Sequence, residues 1–281
     1  MRRRDIGPAA AIYAGYFVVS LIFLLPLLWV ISLSLRPLEE LFAFPPNLLP
    51  RHPTLEAYDY VLRNSPIVTY LLNSLRFVAA TVFGTLALAL PGAYALSRLR
   101  FRSTARRQAV MLGVLAVQLI SPLVTALPLY RYFSRLGLIN STPAVALVYI
   151  ALQAPFATWM LKGFLDTVPL ALDDAARIDG CSRLQTVVRV LLPVLLPGLA
   201  STAILVAIAT WGQFLVPFVL LSRNAQYPIA VGILEFQSSA DSVSTHHLAA
   251  VAVLSVLPAI AIFMVLQRFI IGALTSGAVK G

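Results

Sequence analysis

Charged residues are scarce in this sequence, and their scarcity limits the kind of protein it can be. Asp, Glu, Lys and Arg make up 11% of the 281 residues, whereas about 25% is usual for a soluble globular domain. Apolar residues make up 59%, which indicates a chain whose solvent is a lipid bilayer. Cysteine is nearly absent too, since Cys181 is the single one. An intrachain disulfide framework and a CxxC metal site are therefore excluded.

Motifs of common enzyme chemistry are also missing from the sequence. It contains no GxxxxGKS/T phosphate loop, no HExxH and no GxSxG, so we expect neither ATP binding through a phosphate loop nor an intramembrane enzyme. His52, His246 and His247 are predicted to be surface residues of external loops, and no metal site is expected. The net charge of +10 is better explained by membrane orientation than by a nucleic-acid partner.

Six apolar segments are each long enough to cross a bilayer as a helix, which takes about 20 residues. They cover residues 9–34, 72–96, 109–130, 142–161, 195–221 and 248–270. Prolines interrupt the third, fourth and fifth segments, and we interpret them as ordinary bends, which membrane helices tolerate. We therefore predict an all-α, multi-pass membrane protein with six transmembrane helices, forming one domain over residues 1–281.

The distribution of basic residues predicts the orientation in the membrane. If the N-terminus is cytoplasmic, 14 of the 21 Lys and Arg residues fall in cytoplasmic segments and seven in external ones, as the positive-inside rule favours. Both termini and the segment 163–194 are then cytoplasmic. Two long external loops, residues 36–70 and 222–247, are predicted on the other side.

One charged segment separates the fourth and fifth apolar segments, and residues 172–193 of it read LDDAARIDGCSRLQTVVRVLLP. Each charge at the centre of a bilayer costs about 2.5–3.5 kcal/mol, so Asp173, Asp174, Arg177 and Asp179 keep this segment out of the hydrocarbon. The two neighbouring aspartates suit the first turn of a helix. Asp173 has the spacing to pair with Arg177 on that helix.

A sharp turn and a second helix are predicted to follow. Gly180 comes directly after Asp179, where a left-handed residue can end a helix. Ser182 and Gln185 match a capping box at the start of the next helix. That helix has one apolar face, formed by Leu184, Val187, Val188, Leu191 and Leu192. The segment is thus predicted to be a helix–turn–helix at the cytoplasmic surface of the membrane.

The order of residues in this segment resembles the EAA loop of ABC importer permeases. The matching positions are Asp174, Ala175, Ala176, Asp179, Gly180 and Pro193. The family pattern begins with Glu, where this chain has Asp174. The resemblance extends to the segments 72–101, 210–221 and 227–239 and to the end GALTSGAVKG. It is closest to the sugar-type branch, which includes the maltose-transporter permeases without a large external domain.

The resemblance implies a fold, a role and a set of partners. The fold is that of an ABC type I importer permease, and the chain is a transport subunit rather than an enzyme. It implies a complex with a second permease subunit, two ATP-binding subunits that carry ATP and Mg, and an extracytoplasmic solute-binding protein. The implied location is the inner, cytoplasmic membrane of a prokaryote, and the implied solute is a sugar or oligosaccharide.

The same resemblance assigns roles to three groups of residues. Residues expected to dock on the ATPase are Asp174, Ala175, Ala176, Asp179, Gly180, Arg183 and Pro193. Tail residues expected to contact the ATPase are Thr275, Ser276, Gly277 and Lys280. Residues of an external loop expected to contact the binding protein are Tyr227, Glu235, Phe236 and Gln237.

Polar and aromatic residues within the apolar segments are candidates for the solute path. They are Gln118, Tyr149, Gln153, Thr210, Trp211 and Gln213. The alternative is that these groups form hydrogen bonds between helices. The alternative function is a secondary transporter, either ion-coupled or facilitative. The six apolar segments contain no Asp or Glu, which argues against proton coupling.

Overall fold

The protein is built from α-helices. The computed structural model of the chain describes residues 6–42, 47–99, 103–239 and 245–278, excluding the side chains of residues 6–11, 235, 238, 239 and 265–278. The helices are α1 (Ile6–Ser34), α2 (Leu38–Leu41), α3 (Glu56–Asn64), α4 (Ile67–Arg98), α5 (Thr104–Ala116), α6 (Pro122–Arg135), α7 (Thr142–Thr167), α8 (Ala171–Ile178), α9 (Arg183–Gln185), α10 (Leu192–Val194), α11 (Leu196–Trp211), α12 (Leu215–Leu220), α13 (Ile229–Ser239) and α14 (Thr245–Ala278). Short 3₁₀ turns lie at Val117–Leu119 and Asn224–Gln226, and a π-helix lies at Thr186–Leu191.

Four helices have the length and composition of membrane spans. They are Ile12–Ser34 within α1, the whole of α4 and α7, and Thr245–Met264 within α14. Two bent pairs have the composition of a fifth and a sixth span. Thr104–Leu119 meets α6 at 85°, and Arg183–Val194 meets α11 at 80°. The described part of the chain therefore has four spans, or six if each bent pair crosses the membrane.

The third and fifth apolar segments are not the single helices that the sequence predicts. The helix in 109–130 breaks before Pro122, and the helix in 195–221 ends at Trp211. Pro122 and Pro197 occupy the first turns of α6 and α11. Because proline has no N–H to donate, it is favoured in a first turn and disfavoured in a helix interior. The interpretation of these two prolines as ordinary bends is therefore wrong, since α6 begins at Pro122 and α11 begins one residue before Pro197.

The chain forms two compact units, Met1–Val68 with Ile233–Leu257 and Thr69–Gly232 with Pro258–Gly281. In the first unit, Arg36 holds the segment that follows α1. Its buried guanidinium donates from Nη2 to Ser32 Oγ at 3.1 Å and to the backbone oxygen of Asn47. In the described part of the predicted loop 36–70, the backbone at Asn47 is thus held close to α1, and the helices α2 and α3 lie within the loop.

The adjacent histidines also belong to the first unit, and they are not surface residues. His246 and His247 lie in the first turn of α14 and are only 3% and 9% exposed. The ring of His247 stacks on that of Tyr60, with centroids 4.0 Å apart, and its centroid lies 4.1 Å from that of His246. The prediction of exposed loop histidines is wrong here, because α14 begins earlier than the predicted span and its start packs on α3.

The hydrophobic core of the second unit joins three helices, α4, α7 and α11. Its cluster at one end consists of Ala89, Ala93, Ala157, Leu161, Leu165, Val168, Leu191, Leu195 and Val206. Small residues let α4 and α7 approach closely, since a Cβ on Gly92 would lie 3.2 Å from Thr158 Cγ2. Close approach through small residues is typical of helix pairs in membranes. This cluster forms the base on which the charged segment rests.

Candidate functional site

Helix α8 ends in a Schellman motif centred on Gly180. The glycine has φ of +78°, which places it in the left-handed region that favours residues without a Cβ. The N–H of Cys181 donates to the carbonyl of Ala176 at 2.9 Å, and the N–H of Gly180 donates to that of Arg177 at 3.0 Å. These two bonds satisfy carbonyls that the helix end would leave unpaired. The predicted left-handed turn is confirmed.

The helix after the turn begins with the predicted capping box. The backbone N–H of Ser182 donates to Gln185 Oε1 at 2.8 Å, and the N–H of Gln185 donates to Ser182 Oγ at 3.4 Å. From Thr186 to Leu191 the helix widens into a π-helix, a form that is rare and found frequently at functional sites. The segment is therefore helix, turn, helix, with each junction held by its own hydrogen bonds.

The outer surface of this segment combines charged and large apolar side chains. Ile178 is 87% exposed and Leu184 is 73% exposed. Asp174 and Arg177 are exposed beside them, with 3.7 Å between Oδ1 and Nη1. Exposed apolar side chains rimmed by charge are typical of a protein–protein contact. This surface is suited to dock against another protein.

The inner surface of α8 carries a buried ion pair. Arg98, the last residue of α4, places Nε 3.1 Å from Oδ2 of Asp173, and both side chains are about 95% buried. Arg98 also donates from Nη2 to the carbonyl of Val168 at 2.8 Å. The predicted pairing of Asp173 with Arg177 is wrong, because the carboxylate of Asp173 points inward to Arg98.

A second polar contact joins α4 to α7 near the same end. Ser97 donates from Oγ to Oδ1 of Asp166 at 2.6 Å, and Lys162 Nζ lies 2.5 Å from Oδ2 of the same carboxylate. Lys162 and Asp166 are one helical turn apart, which is the spacing that lets such a pair form. Ser97 and Arg98, neighbours at the end of α4, thus bind to α7, to α8 and to the connection between them.

The candidate path residues differ in what the structure shows them to contact. Tyr149 is 2% exposed and donates from its hydroxyl to the carbonyl of Gln213 at 3.4 Å. Thr210 is buried and donates to the carbonyl of Val206 within its own helix. Gln118 is exposed, and its Nε2 donates to the carbonyl of Leu152 at 2.7 Å. The contacts of Tyr149 and Thr210 are those expected for helix packing.

The other three path candidates are each partly exposed. Gln153 lies on α7, Trp211 ends α11, and Gln213 follows in the connection to α12. The structure brings Gln213 to Tyr149 through the bond described above. A role of these residues in transport stays a prediction.

The external loop candidates are held at their start by α4. Asn73 donates from Nδ2 to the carbonyls of Ala225 and Tyr227, at 2.9 and 3.1 Å. Ser74 Oγ accepts a bond from the N–H of Ile229 at 2.8 Å. These bonds fix the backbone at 225–229, which leads from the 3₁₀ turn Asn224–Gln226 into α13. Tyr227 is consequently only partly exposed.

The remaining loop and tail candidates are placed unevenly. Phe236 is 8% exposed and Gln237 is exposed, both on α13. The side chain of Glu235 lies outside the described residues. The backbone at Thr275, Ser276 and Gly277 is helical within α14, and Lys280 lies outside the described residues. Contacts of these residues with partner proteins stay predictions.

Comparison with family models places this chain in a known class of transporter. Residues 85–275 match the family described as the binding-protein-dependent transport system inner membrane component. The match covers more than half of the chain and includes the whole of the charged segment. The chain belongs to this family of ABC transporter permeases.

Individual relatives of this permease agree with the family assignment. The putative ABC transporter permease protein ORF1 of Streptomyces antibioticus is 37% identical over 83% of this chain and 100% of its own length. The trehalose/maltose transport system permease protein MalG of Thermococcus litoralis is 28% identical over 99% of both chains. The family assignment decides against a secondary transporter.

A solved structure shows that the fold of this permease is a known one. In the crystal structure of a bacterial ABC transporter involved in the import of the acidic polysaccharide alginate, one chain superposes with a TM-score of 0.76. The match covers 96% of this chain and 99% of that chain, at 24% identity. The likeness establishes the helical permease fold.

Sequence reasoning missed one pair of residues in this permease, Arg98 and Asp173. Arg98 counted only as a cytoplasmic charge, and Asp173 counted as a helix-start residue with the spacing to pair with Arg177. A signal was present for the aspartate, because Asp173 lies three residues before Ala176 and therefore on the inward face of α8. The identity of its partner was not encoded locally, because Arg98 lies on a different helix.

Proposed function

We propose that this permease is a transmembrane subunit of an ATP-driven importer for a sugar or oligosaccharide. The main support is the segment of α8 and α9, because hydrogen bonds hold its junctions while exposed apolar and charged side chains remain available to a partner. The trehalose/maltose permease among its relatives supports the solute class. The polysaccharide importer with the same fold is consistent with it.

The α8–α9 segment docks in a cleft of a cytoplasmic ATP-binding subunit. Asp174, Ala175, Asp179 and Arg183 are exposed on it and available for this contact. Ala176 is 3% exposed, so it supports α8 from the inside rather than touching the partner. Two further positions complete the docking element, Gly180 in the turn and Pro193 at the end of the following helix.

The complete importer contains partners on both sides of the membrane. A second permease subunit supplies the other half of the pathway, and two ATP-binding subunits hold ATP and Mg. This chain binds no cofactor of its own. A solute-binding protein delivers the solute from outside. The permease resides in the inner, cytoplasmic membrane of a prokaryote.

The permease forms a single domain over residues 1–281 with six spans and two cytoplasmic termini. In this arrangement both arms of the first bent pair lie in the membrane. In the second pair α11 crosses the membrane, and its first arm, Arg183–Val194, faces the cytoplasm with the rest of the segment 163–194. The exposed charges of α8 support this placement, because they are too costly to bury in hydrocarbon.

Transport follows from the movement of the docked segment. Closure of the two ATP-binding subunits moves α8, and the attached spans pivot so that the cavity between the permeases opens outward. ATP and the loaded binding protein can drive this change only by binding the outward-facing state more tightly. The tail residues Thr275, Ser276, Gly277 and Lys280 contact the ATP-binding subunits.

Two further parts of the permease act on the solute, the external loop and residues within the spans. The loop that contains Tyr227, Glu235, Phe236 and Gln237 contacts the binding protein and helps release the solute. Within the spans, four partly or fully exposed residues line part of the solute path: Gln118, Gln153, Trp211 and Gln213. The buried residues Tyr149 and Thr210, also candidates for the path, pack the helices behind them. The exposure of Gln118 supports its place on that path most directly.

Purification of the tagged permease from its native host in mild detergent tests the proposal. We expect an ATP-binding subunit and a second permease to co-purify. Once the complex is reconstituted in vesicles, sugar uptake should require both ATP and the binding protein. A permease that purifies alone or only with itself, where an ABC complex of known composition survives in parallel, would contradict the proposal.

A further inference from the structure

The ion pair between Arg98 and Asp173 is buried but incompletely bonded. Arg98 Nε and Asp173 Oδ2 are 3.1 Å apart, yet neither atom has the alignment of a hydrogen bond. Oδ1 of Asp173 is buried and has no hydrogen-bond partner. A buried pair contributes little net stability, and retention of buried ionic groups is best attested where they set register or act as a switch. The pair is therefore more readily explained by a role in positioning than by stability.

Helix α8 has few other inward contacts that could fix its position. Its buried residues are Asp173 and Ala176, and the second contributes only a methyl group. The helix rests mainly on the neighbouring π-helix Thr186–Leu191. The ion pair of Arg98 with Asp173 thus ties α8 to α4, and the hydrogen bond of Arg98 to the carbonyl of Val168 ties the residues before α8 to the same helix.

The other end of α4 is bonded to the external loop. Asn73 and Ser74 hold the backbone at 225–229, and Tyr70 donates from its hydroxyl to Asn224 Oδ1 at 3.2 Å. α4 has 32 residues and so extends about 48 Å at 1.5 Å per residue, enough to span a bilayer. One helix therefore connects the loop proposed to meet the binding protein with the segment proposed to meet the ATPase.

We propose that Arg98 and Asp173 are positioning residues that join the docking segment, α8 and α9 with the turn between them, to α4. Through this joint, α4 transmits the effect of the loaded binding protein to the ATPase. This inference rests on the proposed function. Because coupling between two sites is reciprocal, the same joint passes the effect of ATP outward to the loop at 225–229. Neither residue touches solute or nucleotide.

The test uses the whole importer in vesicles and measures ATP hydrolysis with and without the loaded binding protein. Two variants are compared with the natural chain, Asp173→Asn alone and Asp173→Asn combined with Arg98→Met. The second variant removes both charges and leaves no unpaired charge in the interior, a change that buried pairs often tolerate. The control is Asp59→Asn with Arg63→Met, which removes the exposed ion pair of α3.

We expect the assembled double variant to lose stimulation of hydrolysis by about fivefold or more, the lower range of allosteric coupling. The control should keep its stimulation. Stimulation equal to that of the natural chain in the double variant would overturn the inference. Failure of the double variant to assemble would also overturn it, because the pair would then serve folding.

The design separates this inference from the function on which it rests. If the importer containing the natural chain shows no response to the binding protein, the proposed function fails. If the natural complex responds and the double variant responds equally, only the role of the pair fails.

Discussion

At the scale of single residues, two glycines have backbone conformations that other residues rarely adopt. Gly180 has φ of +78° and Gly137 has φ of +68°, and a Cβ on either would meet no other atom within 4 Å. Substitution at either position therefore strains the backbone without causing a clash. The two sites differ in place, since Gly180 is in the docking turn and Gly137 is in the connection between α6 and α7.

Gly180→Val should uncouple ATP hydrolysis from transport. A left-handed conformation costs about 1–2 kcal/mol for a residue with a Cβ, so the valine shifts the turn that orients α8 and α9. We expect the chain to insert and assemble, while uptake per ATP hydrolysed falls by roughly tenfold. Gly137→Val is the matched control, and equal uncoupling by it would show that backbone strain anywhere has this effect.

Gly198→Ala should lower the stability of the contact between α11 and α7. A Cβ at this position would lie 2.5 Å from Cγ and 2.8 Å from Cδ2 of Phe164. We expect a loss of about 1–3 kcal/mol of unfolding free energy, seen as a lower thermal unfolding midpoint of the purified complex. Gly163→Ala on α7 is the control, because its Cβ would meet nothing within 4 Å. An unchanged midpoint for Gly198→Ala would mean that the ring of Phe164 moves aside at little cost.

At the scale of elements, helix α2 is bonded to the segment that follows it. Glu40 accepts a bond from the N–H of Arg51 at 3.0 Å and one from the N–H of His52 at 2.8 Å. The N–H of Arg51, with that of His52, holds the pKa of the Glu40 carboxyl below its ordinary value of 4.5. Both bonds are made to the charged form of the carboxyl.

The two hydrogen bonds that join Glu40 to Arg51 and His52 should therefore weaken in acid. Because the pKa of Glu40 is lowered in the folded chain, the stability contributed by its two hydrogen bonds is present above pH 4.5. This contribution is lost as the pH falls through the lowered pKa. We expect amide exchange at Arg51 and His52, corrected for its intrinsic rate, to accelerate in that range. Glu40→Gln should abolish this pH dependence, whereas Glu39→Gln should retain it. Exchange that is independent of pH in the natural chain would contradict the assigned bonds.

At the scale of the whole molecule, the number of spans decides which side of the membrane the docking segment faces. With an N-terminus inside, six spans place Cys181 in the cytoplasm. If the two bent pairs re-entered instead of crossing, α1, α4 and α7 would leave the same residue outside. The single cysteine of the chain thus reports on the topology without further engineering.

We expect a membrane-impermeant maleimide to label Cys181 in inside-out vesicles and not in intact cells. Cys181 is partly exposed in the turn, and labelling after denaturation measures its full reactivity. A chain with Cys181→Ala and Arg63→Cys is the external control, since the side chain of Arg63 is 76% exposed on α3. Labelling of Cys181 from outside would exclude the six-span arrangement.

The sequence predicted local structure of the docking segment well, because its signals act between near neighbours. The helix end at Gly180 is closed by a bond from Gly180 to a residue three positions earlier and one from Cys181 to a residue five positions earlier. Ser182 and Gln185 cap each other across three residues. The breaks at Pro122 and Pro197 carried a local signal as well. That signal was read as a bend, and its true extent depends on how neighbouring helices pack.

The sequence by itself determined that the chain is helical and suited to a bilayer, because composition suffices for that. It also determined the charged helix–turn–helix, because the hydrogen bonds that form it are short-range. Only the tertiary structure decided that Asp173 pairs with Arg98 rather than Arg177 and that His246 and His247 are buried. Each of these outcomes depends on which helix surfaces meet. That choice is made by the packing of residues distant in the chain, and no pattern within one helix encodes it.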